Sequence, residues 1–102
     1  MVNLEIDKDG SKFYLQNKVN LEIDKDGSKF YLQNKKYHRL NGPAVIYSHG
    51  GKQWIQNGKL HRLDGPAIEC SNGEKNWYYY GKEIDCCNQE EFERLIKLKM
   101  LW

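Results

Sequence analysis

At 102 residues the chain supports one small domain and is too short to bury a large catalytic cavity beneath a closed core. Apolar residues at 39% and aromatics at 13% predict a folded chain, and no apolar run is long enough for a transmembrane helix. The opening MVNLEID lacks the basic start and hydrophobic stretch of a signal peptide, so the expected location is the cytoplasm.

Residues 2–18, VNLEIDKDGSKFYLQNK, recur without a change as residues 19–35. Such a repeat marks a recent, engineered or selected tandem duplication, because older repeats keep only the positions that packing requires. The extra copy is either a passenger or a hairpin that lengthens a binding surface or swaps between chains. An older repeat runs with a period of 23: HRLNGPAVIYSHGGKQWIQNGK (38–59) aligns with HRLDGPAIECSNGEKNWYYYGK (61–82). One further shift places Gly27, Lys29, Tyr31, Gln33 and Asn34 over Gly50, Lys52, Trp54, Gln56 and Asn57.

Each unit predicts two short strands joined by a tight turn at Asp26-Gly27, Asn57-Gly58 or Asn72-Gly73, with a further bend at Leu-Asn/Asp-Gly-Pro. The expected hairpin units are 19–37, 38–60 and 61–84 within a single domain, 1–102. Period-2 alternation sets Phe30, Leu32, Ile55 and Tyr78 on one face and the column Tyr31, Trp54, Trp77, continued by Tyr79, on the other. After the sheet, Asn88-Gln89-Glu90-Glu91 reads as a capping box opening a helix over 88–101, with Phe92, Leu95, Ile96, Met100 and Leu101 at helical spacing. The predicted fold is therefore mainly β (α+β): a meandering antiparallel hairpin-repeat sheet with one C-terminal helix packed on a face. Which face the helix covers decides whether the aromatic column is core or an open strip.

Charge is uneven beneath the net value of +2. From Gly27 to Leu63 there are seven basic residues (Lys29, Lys35, Lys36, Arg39, Lys52, Lys59, Arg62), all three histidines and no acid. Together with Tyr31, Tyr37, Tyr47 and Trp54, this segment combines cations for phosphates with rings for bases, the ingredients of single-stranded nucleic-acid binding. The candidate ligand or RNA-binding residues are Lys29, Lys35, Lys36, Tyr37, His38, Arg39, Lys52, Trp54, Lys59, His61 and Arg62. The competing structural reading makes the lysines a solvated surface and the aromatics core. In the repeated His38-Arg39 and His61-Arg62 pairs it has each His packing on an aromatic and bonding the Gly-Pro bend.

Nothing predicts catalysis. No nucleophile, base and orienter set, carboxylate pair or phosphate loop stands at interpretable spacing, and the acidic turns at 7–10 and 24–27 lack the glycine and glutamate of a calcium loop. Cys70, Cys86 and Cys87 fit neither a disulfide framework nor a zinc site, so reduced thiols and no cofactor are expected.

The twice-repeated H-R-L-[ND]-G-P-A, followed by a Gly turn, a Trp strand and N-G-K or Y-G-K, resembles the variant MORN-type repeats of tailed-phage and giant-virus proteins. The ending YGKEI with an EEFERL helix is similar to the close of such phage proteins. The resemblance covers 19–102; residues 2–18 lack the heptapeptide, which leaves their place in the sheet in doubt. It implies a hairpin array and a non-enzymatic role: a small phage accessory protein that counters a host defence, for example as inhibitor of a toxin–antitoxin nuclease. The implied partners are a host defence protein, RNA or both, with no membrane. Two alternatives are a sponge for a nucleotide immune signal and a protein–protein or homo-oligomerisation module without nucleic acid.

Overall fold

The computed structural model of the chain describes residues 18–100. The copy at 2–18 lies outside the described residues except for Lys18. The expected class holds: the described residues form ten strands in antiparallel pairs, then one C-terminal helix.

The strands are β1 (Asn20–Ile23), β2 (Lys29–Gln33), β3 (Lys36–Tyr37), β4 (Val45–Ile46), β5 (Lys52–Gln53), β6 (Ile55–Gln56), β7 (Lys59–Leu60), β8 (Ile68–Glu69), β9 (Lys75–Tyr79) and β10 (Lys82–Ile84). The 23-residue period is visible in the elements, since β2, β5 with β6, and β9 begin at 29, 52 and 75. The main sheet runs β1-β2-β4-β5-β8-β9-β10, with β3 also on β2 and β6 paired to β7 apart.

The array is not a simple meander, because the long strand of a unit shares one edge between two neighbours. In β2, Lys29 and Phe30 pair with Ile46 and Val45, while Leu32 and Gln33 pair with Tyr37 and Lys36. The edge changes hands at Tyr31, whose N–H donates to Ala44 and whose carbonyl accepts from the His38 N–H. Trp54 repeats the fork with Ala67 and His61, which is why β5 and β6 are separate. A side chain at the fork would crowd three strands, and the alanines there are fully buried.

Three turns at the other hairpin ends share one device. In each, a side chain at the residue before glycine accepts the N–H two residues on: Asp26 from Ser28 at 3.0 Å, His49 from Gly51 at 3.3 Å and Asn72 from Glu74 at 3.0 Å. This is the Asx-turn pattern, which His49 imitates through Nδ1. The Ser28 N–H holds the Asp26 carboxyl below its ordinary range.

Two small cores result. Ala44, Val45 and Ile55 cluster with Phe30, Tyr47 and Leu60. Trp77, Ile84, Phe92 and Ile96 form the other, with Tyr79, Cys86 and Leu95 at its margin. The second core settles where the helix lies: α1 (Gln89–Met100) covers the Trp77 end of the aromatic column. Its start is capped by Asn88, whose Oδ1 accepts the Glu91 N–H at 2.9 Å. The reciprocal half of the expected capping box shifts by one residue, since Glu91 accepts from the Cys87 N–H rather than from Asn88. Acids in its first turn and Lys97 and Lys99 in its last suit the helix dipole.

Candidate functional site

The repeated heptapeptide explains itself residue by residue. His38 and His61 are buried, 7% and 4% exposed, and their Nδ1 atoms accept the N–H of Asn57 and Tyr80 at 2.9 Å. Each His, at the start of its unit, thus fastens the turn near the end of that same unit, not the Gly-Pro bend that the structural reading anticipated. With Nδ1 accepting, the ring proton sits on Nε2. Burial lowers the affinity of His61 for a second proton.

The arginines are clamped. The Arg39 guanidinium lies 4.0 Å from the Tyr31 ring centre and that of Arg62 lies 3.7 Å from Trp54. On the far side stand Gly42 and Gly65, where an added Cβ would fall 3.0 and 2.6 Å from the guanidinium carbon. Each Nη1 donates to a proline carbonyl, Pro43 at 3.2 Å and Pro66 at 3.0 Å. The motif is therefore a ring, arginine and glycine sandwich closed by a proline carbonyl. One face of Trp54 and one face of Tyr31 are therefore taken by arginine and not offered to a base.

The two sandwiches differ in charge. Arg62 pairs with Asp64 and Glu69, both at 3.0 Å. At Arg39 the corresponding positions are Asn41 and Ile46, and no ion pair involves Arg39 among the described residues.

The two fastened turns, Asn57-Gly58 and Tyr80-Gly81, share their form with the earlier Asn34-Lys35: all three are two-residue hairpins, with φ of 52 and 80, 46 and 85, and 53 and 65°. Positive φ at both central residues is the type I′ turn, which matches strand twist and suits Asn-Gly best. Lys36 and Lys59 lay their stems over Gly58 and Gly81, 3.5–3.8 Å from where a Cβ would stand, so the turns stack and the ammonium groups project at their rim. Lys29, Lys35, Lys36, Lys52 and Lys59 are exposed, and none is ion-paired among the described residues.

Tyr37 is 42% exposed and stacks on Phe30 at 5.9 Å. Tyr80 is 57% exposed and stacks on His61 at 3.8 Å. Tyr80 escapes a sequence reading that follows the acid-free segment. Its signal is the mismatch of Tyr-Gly with Asn-Gly one repeat earlier, which sets a bulky residue at positive φ.

Beside this rim a groove of about 600 Å³ opens between the two heptapeptide loops, with Trp54 and Gln56 as floor and Leu40, Pro43, Leu63 and Asp64 among its walls. Leu40 and Leu63, repeat counterparts, are 72% and 50% exposed. Of the candidate residues, the structure brings Lys35, Lys36, Tyr37, Lys59 and Tyr80 to the stacked-turn end, and it sets Lys29 and Lys52 on the strand halves that pair with β4 and β8.

The three cysteines are free, and burial, with Glu91 adding to it, raises the Cys86 thiol above its ordinary range. No cluster of three or more metal-binding side chains occurs among the described residues, and no helix there is long and apolar enough to cross a membrane. The chain matches no protein-family model, no curated protein and no solved structure.

Proposed function

We propose that the chain is a non-enzymatic binding protein that holds RNA, or another polyanion, along the lysine rim of its stacked turns. One observation carries this reading: Lys35, Lys36 and Lys59 stand exposed at the stacked-turn end without a carboxylate partner among the described residues, and exposed Lys29 and Lys52 extend the same charge onto the strands. Unneutralised cations at fixed spacing release counterions when they meet a phosphate chain, whereas a lysine already paired does not. Arg39, stripped of the two acids that neutralise Arg62, adds to the same field.

The exposed rings of Tyr37 and Tyr80 supply the stacking half of the interaction, in place of Trp54, whose face Arg62 occupies. The likeness of residues 19–102 to MORN-type phage repeats supports a role against a host defence, with a nuclease, its RNA or both as partner.

Gel-shift titration with single-stranded RNA at several salt concentrations tests this. Binding at low salt that weakens as salt rises is expected. The double variant Lys36→Glu, Lys59→Glu should flatten the salt slope by about 1.4, at roughly 0.7 per lost phosphate contact. Absence of binding at low salt, or affinity indifferent to salt, would rule the proposal out.

A further inference from the structure

We infer that the groove over Trp54 is a docking seat for an amphipathic helix of a partner protein, because α1 fills the same seat one repeat further on. The correspondence is specific. Moving the groove's Leu40, Trp54, Gln56, His61 and Leu63 on by 23 residues gives Leu63, Trp77, Tyr79, Ile84 and Cys86. All five lie against α1: Trp77 and Ile84 share its core, Tyr79 and Cys86 pack on that core, and Leu63 accepts a hydrogen bond from Gln89.

Gln89 is the key to the occupied seat. Its Oε1 accepts from the Trp77 indole N–H at 2.7 Å and its Nε2 donates to the Leu63 carbonyl at 2.9 Å, so one amide bridges the two groups. In the groove the counterparts are the Trp54 indole N–H and the Leu40 carbonyl. Neither has a hydrogen-bond partner among the described residues. Arg62 covers the Trp54 face, but Trp54 still lines the groove, and an amide reaching its indole N–H meets the donor and acceptor pair that Gln89 meets next door.

Spacing makes the seat fit a helix. Two strands per repeat advance the sheet by about 9.6 Å, from about 4.8 Å per strand. Packed helices stand about 8–10 Å apart. A helix in the groove would therefore lie beside α1 at contact distance. The flank of α1 that it would meet is already hollowed: Leu63, Phe92, Ile96, Glu93 and Lys97 line a depression of about 250 Å³. Exposed Leu40 and Leu63 would flank the new helix on both sides. The occupant is thus a helix with a Gln or Asn followed at three and seven residues by apolar side chains, the pattern of Gln89, Phe92 and Ile96.

The test uses the full chain and, as probe, a synthetic peptide of α1, residues 88–99. Indole N–H resonances of the folded protein are followed by NMR as peptide is added. A saturable shift of the Trp54 resonance is expected, with affinity falling about tenfold for the Gln89→Ala peptide and also for the Trp54→Phe protein, whose binding is read from the backbone amide resonances of Leu40 and Leu63 because that indole is then absent. Tenfold corresponds to ~1.4 kcal/mol, the scale of the lost hydrogen bonds. No Trp54 shift at millimolar peptide overturns the inference, and so does a shift confined to Trp77, which would mean exchange with the resident helix. A single-stranded oligonucleotide that shifts Trp54 where the peptide does not would assign the groove to a base instead. Loss of RNA binding in the gel shift leaves this result untouched, because the lysine rim and the groove are read separately.

Discussion

Replacing His61 by Phe keeps a flat ring in the buried site and removes the acceptor for the Tyr80 N–H, together with the Nε2 proton on the other side of the ring. The hydrogen bond is 2.9 Å long and its acceptor is 4% exposed, so its loss should cost about 1–2 kcal/mol at neutral pH. The variant also reports on protonation. Burial holds the His61 pKa below the ordinary 6.5, so the folded state resists a proton that the unfolded chain accepts. Above 6.5 both states are neutral and the contribution of His61 is complete. As pH falls through that value towards the lower folded pKa, stability declines by up to about 1.4 kcal/mol per pH unit for this one proton. Urea melts from pH 7.5 to 5 on the wild type and His61→Phe measure both effects. The variant should be less stable at pH 7.5, and its loss of stability on acidification should be shallower. Equal midpoints at pH 7.5 together with equal pH slopes would refute the assignment of His61 as the acceptor that fastens the turn.

Three further outcomes follow from the same geometry. Lys35 holds φ of 65° where the other two turns place glycine, so Lys35→Gly should stabilise by about 0.5–1 kcal/mol and raise the thermal midpoint by a few degrees. Gly65→Ala would drive a Cβ to 2.6 Å from the Arg62 guanidinium and expel it from Trp54, costing about 1–3 kcal/mol. Gly42→Ala, with 3.0 Å available, should cost less, and equal denaturation midpoints for the two would count against the sandwich. Phe92→Ala empties the centre of the helix core and should cost about 3–5 kcal/mol, with exposure of Trp77 visible as a red shift in fluorescence.

The repeat, its period and its turns were legible because turn chemistry is local. Asn57-Gly58 needs nothing beyond its own residues to favour positive φ at both positions, and Gly73 follows an Asn that bonds two residues ahead. The helix was legible for the same reason: Asn88 caps it, and Phe92 and Ile96 recur at four residues, although it starts at Gln89 and its capping box shifts to Cys87. The forked edges at Tyr31 and Trp54 were not legible, since pairing one strand with two neighbours depends on residues 7 to 13 positions away.

The heptapeptide marks the boundary most clearly. Its sequence announces that His38-Arg39 and His61-Arg62 occupy equivalent places, and period and composition together predict a basic, aromatic segment. Only the tertiary structure decides that both histidines are buried acceptors and that both arginines lie on a ring, because the turns and rings they meet are 8 to 19 residues away, whereas the glycine that closes each sandwich is local. The sequence by itself determined the hairpin array, its 23-residue pitch and its acid-free centre, all properties of neighbours along the chain. Which cations remain unpaired, which Trp the helix covers and which seat is left open were decided by packing across strands, where distances in space no longer follow distances in sequence.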